Sequence, residues 1–171
     1  MAYDDSIARL AKQIDAARKS EPSQIRAEEV AALRRQGACQ LHQICAEFVA
    51  SLNSRLSDTA VELSPPTYSA ESFHESGVNL IQISSQGREM QIAFQATSQL
   101  FSTEKFPVPY VLDGEIRIYN QEMLERFEIR SYRLFFCLNE NAGVWRFFDW
   151  RDGRTAPVNR DLLASLMERL F

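Results

Sequence analysis

Cys39, His42 and Cys45 stand in a Cys-x-x-His-x-x-Cys spacing, and the chemistry that spacing suggests is metal ligation. On a helix, steps of three keep all three side chains on one broad face. Helix rise then separates Cys39 and Cys45 by about 9 Å along the axis. A zinc–sulfur bond is about 2.3 Å, so one ion cannot hold both thiolates without breaking the helix. A pair such as Cys39 and His42 would need His74 or a second chain to complete it. Small core cysteines beside Leu41 and Ile44 explain the pattern more simply. No metal and no cofactor are expected.

Two histidines exist, His42 and His74, so any nucleophile–histidine arrangement would use one of them. His74 sits among polar residues with Glu71 and Glu75 nearby, where a general base is conceivable. No nucleophile elbow, glycine-rich phosphate loop or His-Glu-x-x-His accompanies it, and six glycines are too few for an elaborate phosphate cradle. No catalytic residue is named, and the reading leans away from an enzyme.

Arginine supplies two further candidates. Arg126, Glu128 and Arg130 alternate with Phe127 and Ile129, which suggests one face of a strand. Arg117 and Arg146 on neighbouring strands extend this into a candidate anionic-ligand face beside Tyr119 and Tyr132. Glu115, Glu122 and Glu128 share that face and would pair with it. The segment from Trp145 to Arg154 is the densest in aromatics and charge. Trp145, Trp150, Arg151 and Arg154 form a candidate interaction surface, since Trp and Arg are common interface anchors. The competing reading makes the tryptophans a seam between sheet and closing helix.

The elements that must position these residues follow from periodicity. Asp4, Asp5 and Ser6 suit the start of a helix striped by Ile7, Leu10, Ile14 and Ala17. Residues 20–23, with Pro22, break it. A second helix begins near residues 21–24 and carries Ile25, Val30, Leu33, Leu41, Ile44, Phe48, Leu52 and Leu56. It spans roughly 48 Å and would overhang its own core, so the first helix, the sheet or another copy of the chain must cover it. A hairpin in a dimer interface and a hairpin folded back on its own sheet are both open. Gly37 is either a close-packing point or a break in it.

Beyond Asp58 the pattern turns to alternation. Strands are expected at 61–63, 80–83, 90–95, 108–112, 115–119, 123–138 and 144–150. Residues 84–89 and 139–143 form turns, and Asp113-Gly114 makes a hairpin. The run 134–138 is apolar on both faces and belongs at the covered centre of the sheet. Asn159 caps a closing helix striped by Leu162, Leu163, Leu166, Met167 and Leu170, with Val158 and Leu163 as its staple.

The expected fold class is α+β. A helical hairpin over residues 1–58 precedes an antiparallel meander of six to seven strands with a short C-terminal helix over residues 59–171. The whole forms one cooperative domain.

Composition bounds the function. Of 171 residues, 45% are hydrophobic and 25% charged, with a net charge of −4. Residues 1–58 carry eight basic and eight acidic side chains, so the negative balance lies in the sheet region. Neither part is the basic body of a nucleic-acid binder, and no apolar run spans a membrane. Three cysteines, an odd number, and a polar, acidic start fit a cytoplasmic protein.

These readings point to a non-enzymatic interaction or scaffold module. It would self-associate as a homodimer through its N-terminal helices and engage an unidentified protein partner. The alternative is a small-ligand-binding α+β protein, with or without catalysis. Its pocket would lie between sheet and helices, lined by Phe94, Phe127, Phe136 and Trp145.

Overall fold

The structure, a computed structural model, describes residues 2–19, 23–139 and 142–171. The break expected at residues 20–22 and the turn tip at 140–141 lie outside the described residues, as do the side chains of Ala17 and Ile25. The architecture is the α+β arrangement expected. Two N-terminal helices, α1 (Ala2–Lys19) and α2 (Ser23–Asn53), precede a seven-stranded sheet, and a short helix, α4 (Arg160–Glu168), closes the chain. The strands are β1 (Glu62–Ser64), β2 (Asn79–Ser85), β3 (Arg88–Ala96), β4 (Tyr110–Tyr119), β5 (Arg130–Asn139), β6 (Ala142–Asp149) and β7 (Arg154–Pro157). They pair in chain order and every pairing is antiparallel, so the sheet is a plain meander. A short helix, α3 (Gln121–Glu125), sits in the β4–β5 connection.

Alternation decides which face each strand buries. Ile81 and Ile83 of β2, Met90, Ile92 and Phe94 of β3, and Ile116 and Ile118 of β4 are buried in one core with α2 and α4. Gln91 and Ala93, on the other face, are half-buried and Gln95 is exposed. The doubly apolar run in β5 is covered on both sides, as expected. Leu134 and Phe136 enter the main core, whereas Phe135 and Cys137 pack with Phe106 and Tyr110 in a second cluster. The β2–β3 turn places Gln86 at φ 51° and Gly87 at φ 77°, the two left-handed residues of a tight hairpin.

Helix α2 runs unbroken through Gly37 and lies on the sheet with Val30, Ala38, Leu41, Cys45, Phe48 and Val49 buried. At about 1.5 Å per residue it is some 46 Å long. A Cβ on Gly37 would fall 2.6 Å from the Phe136 ring, and one on Gly143 would fall 2.0 Å from it. The two glycines therefore make room for one aromatic ring at the helix–sheet seam. There Trp145 donates its indole N–H to the Gly37 carbonyl at 2.7 Å. One turn earlier, Arg34 is buried and fully engaged. Its Nε donates to the Val111 carbonyl at 3.1 Å and its Nη2 to the Gln99 carbonyl at 3.0 Å, while Nη1 pairs with Glu75. The helix ends where Asn53 binds Val61 twice, accepting from its N–H at 2.8 Å and donating to its carbonyl at 3.0 Å. Leu56 lies beyond that end.

Several expectations need correction. Helix α1 begins at Ala2, so Asp4, Asp5 and Ser6 lie inside it rather than capping it. Asp113-Gly114 is not a turn; β4 runs straight through it. Gly114 pairs with Phe94 on one side and Leu134 on the other. A Cβ there would lie 2.5 Å from the Ala93 carbonyl oxygen, so this glycine serves close strand approach. The strand expected over 123–138 begins only at Arg130, as β5; its first residues belong to α3, capped by Asn120, whose side chain accepts the Met123 N–H at 2.9 Å. Strand β7 follows the turn at Asp152-Gly153 and pairs with β6, where no strand was expected. The closing helix is as read: Asn159 accepts the Leu162 N–H at 2.9 Å, and Leu162, Leu163, Leu166 and Met167 are buried.

The seam makes a direct prediction. Gly143→Ala should destabilise the fold by about 1–3 kcal/mol, the usual cost of overpacking. Gly37→Ala should also lose stability despite the roughly 1 kcal/mol that alanine gains in a helix. Urea unfolding should show lower midpoints with unchanged slopes. Phe136→Leu in either background should recover part of the loss, and no recovery would mean the ring is not what the glycines accommodate.

Candidate functional site

The candidate interaction surface divides. Trp145 is a core residue, buried against Phe136 with ring centroids 5.2 Å apart and edge-on to Phe94 at 5.8 Å. It is corrected from surface anchor to seam, and the seam is with α2. Trp150, Arg151 and Arg154 do gather, in and beside the turn between β6 and β7. Trp150 is 57% exposed, and the Arg151 guanidinium lies 4.8 Å from its ring. Arg151 is steadied by the Ser131 carbonyl at 3.1 Å and by Asp149 at 3.5 Å. Asp152 accepts the Arg154 N–H at 2.9 Å, closing the turn around Gly153 at φ 73°.

The arginine face also divides. Arg117 and Arg146 lie on the outer face of the sheet, one on β4 and one on β6, with β5 between them. Arg126 is not on a strand; it caps α3 and pairs with Glu122 at 2.8 Å. Arg130 is the first residue of β5. With Arg169, Arg126 and Arg130 line a small depression of about 210 Å³ at the end of the sheet, which Glu122 and Glu128 share. Tyr132 faces the core, where its hydroxyl meets Arg169. Sequence reasoning passed over Arg133, which joins Arg117, Lys105, Asp113 and Glu115 around an outer-face depression of about 380 Å³. Two of those cations are already paired inside it, Lys105 with Asp113 at 3.4 Å and Arg117 with Glu115 at 3.2 Å.

The pocket proposed between sheet and helices is not lined as expected. Phe94, Phe136 and Trp145 fill the core, and Phe127 is on the opposite side of the exposure scale at 94%. The cause is α3. The Phe127 N–H donates to the Leu124 carbonyl at 3.2 Å, and the Glu128 N–H reaches back to the Met123 carbonyl at 2.8 Å. That pair of bonds ends a helix through a left-handed residue, a place glycine usually takes. Here Phe127 takes it at φ 56°. With the half-exposed Leu124 and Ile129 it makes an apolar projection. The pattern that hid it was the apparent strand alternation around Arg126.

The thiols are poor nucleophiles. Burial pushes Cys45 up to about 12 from an ordinary 9.0 and Cys137 up to about 11. Cys39 is raised by burial and by nearby Glu71. His42 is buried, bonded through Nε2 to the Pro65 carbonyl at 2.7 Å and stacked on Tyr68 at 5.3 Å. Burial and the neighbouring Cys39 hold the Tyr68 phenol up at about 12. His74 is exposed on its loop, and Glu75 is committed to Arg34.

Two apolar features stand out on the surface. Every described side chain of α1 from Asp5 to Ala16 is exposed, including Ile7 at 67%, Leu10 at 55% and Ile14 at 59%. Ile7, Leu10 and Ile14 form the stripe read from the sequence, and no described residue covers it. The second feature is a largely apolar groove of about 350 Å³ between the C-terminal half of α2, the β2–β3 turn and α4. Among the described residues no helix is long and apolar enough to cross a membrane.

Replacing Phe127 by glycine should stabilise the protein by up to about 1–2 kcal/mol, because a left-handed backbone costs a bulky L-residue that much. The side chain contributes no packing to lose. Thermal unfolding of Phe127→Gly checks this, and a clear fall in the midpoint would show that the ring is packed after all.

No family model matches this chain, and neither curated proteins nor solved structures provide a match.

Proposed function

We propose that this protein is a non-enzymatic interaction module that self-associates as a homodimer through its N-terminal helices. The observation that carries the reading is the bare stripe of Ile7, Leu10 and Ile14. A helix in permanent contact with water has no use for branched apolar residues at steps of three and four, and a contiguous apolar surface of this kind marks a contact site.

Full burial of a side chain of this size contributes about 1.5–3 kcal/mol. Ile7, Leu10 and Ile14 are 55–67% exposed, so burying one stripe contributes about 3–5 kcal/mol, and a two-fold dimer uses it twice. That exceeds the lower end of the association cost, about 4 kcal/mol, and suits a weak, concentration-dependent dimer.

The exposed turn with Trp150, Arg151 and Arg154 would face the protein partner, because a tryptophan held under an arginine is a rigid, amphipathic anchor. Three free cysteines, two of them buried and held protonated, suit a reducing, cytoplasmic setting. The mixed charge along α1 and the ion pairs of the outer face, Lys105 with Asp113 and Arg117 with Glu115, favour a protein partner over nucleic acid.

Leu10→Asp and Ile14→Asp, both at exposed positions, should leave the sheet folded and convert a dimer into a monomer in sedimentation velocity. An unchanged mass for both variants would contradict self-association through α1.

A further inference from the structure

We propose that α1 of one copy lies in the groove between α2 and α4 of a second copy, and that the exchange is reciprocal. This rests on the self-association reading above and gives it an address. The groove is lined by Phe48, Leu52, Leu56, Val61, Ala164 and Met167. Its lining is mostly apolar, which is what an amphipathic helix seeks when it docks by anchors at i, i+3 and i+7. Ile7, Leu10 and Ile14 have that spacing. Both partners of the contact are thus present in one chain: an exposed stripe, and a groove whose buried floor is Phe48, Val61 and Met167 and whose open rim is Leu52, Leu56 and Ala164.

Chain length says which copy supplies the helix. The groove begins at Phe48, 25 residues along α2 from Ser23. At 1.5 Å per residue that is about 38 Å from the helix start. Folding back along α2, Ile7 stands about 18 Å from Lys19 by helix rise. The four residue steps from Lys19 to Ser23 add at most about 14 Å when fully extended. A chain's own Ile7 therefore reaches about 32 Å, and Leu10 and Ile14 reach less. The stripe falls short of its own groove, whereas a second molecule is under no such tether. Two grooves and two helices exchanged about a two-fold axis close the assembly and leave neither surface bare.

The test separates this inference from the reading it rests on. Leu56→Asp changes an exposed groove residue, and Ala164→Arg fills the groove from α4. Circular dichroism should show both folded. Each should weaken dimerisation about tenfold or more in sedimentation equilibrium, as loss of a central anchor does. Mixing Leu10→Asp with Ala164→Arg should restore a mixed dimer, since one intact helix then meets one intact groove. If the groove variants dimerise like the parent while Leu10→Asp is monomeric, self-association stands and this docking site is wrong, with α1 pairing elsewhere. If Leu10→Asp still dimerises, the reading beneath it fails as well.

Discussion

The packing of Phe136 under α2 is the constraint on which the rest of the molecule depends. The ring occupies space that only two glycines leave, Gly37 on the helix and Gly143 on β6. That close approach brings the Gly37 carbonyl within reach of the Trp145 indole and locks the helix to the centre of the sheet. Arg34 fastens the next turn to β4, to the loop after β3 and to Glu75. A buried arginine is costly unless its donors are satisfied, and these are met by carbonyls and a carboxylate. With the helix held at these points, Leu41, Cys45 and Phe48 fall into register over the sheet.

The same anchoring leaves surfaces unused. Helix α2 is held against the sheet from Val30 to Asn53, and α4 packs beside its C-terminal half. An apolar groove opens between them. At the other end of the chain, α1 carries an apolar stripe that no described residue covers. In the proposed dimer, exchange of α1 between copies would cover the stripe and the groove without altering the body of the fold.

Legibility in the sequence varied with how local the cause was. Asn159, the stripe of α4, the β2–β3 turn and the doubly covered run in β5 were readable because each is decided by a few neighbouring residues. Asp113-Gly114 misled because its glycine answers to Phe94 and Ala93 on the next strand, a contact invisible in the linear chain. Alternation from Met123 to Arg130 mimicked a strand, while Asn120 was already placed to cap a helix. Trp145 was readable as a seam residue, but its partner, the Gly37 carbonyl, lies more than a hundred positions away. Arg34 gave no signal at all, since one arginine among many on a long helix looks like a solvated charge. The candidate site was half legible. The α1 stripe was plain, and the groove was not, because it is made by three separate elements.

Hydrogen exchange of the full chain at low and high protein concentration tests the central claim most directly. Amides of α1 should exchange rapidly in dilute solution and become protected as concentration rises, together with those around Leu52 and Ala164. Amides of β4 and β5 should be protected equally at both. Protection of α1 in dilute solution, or its absence at every concentration, would contradict the account.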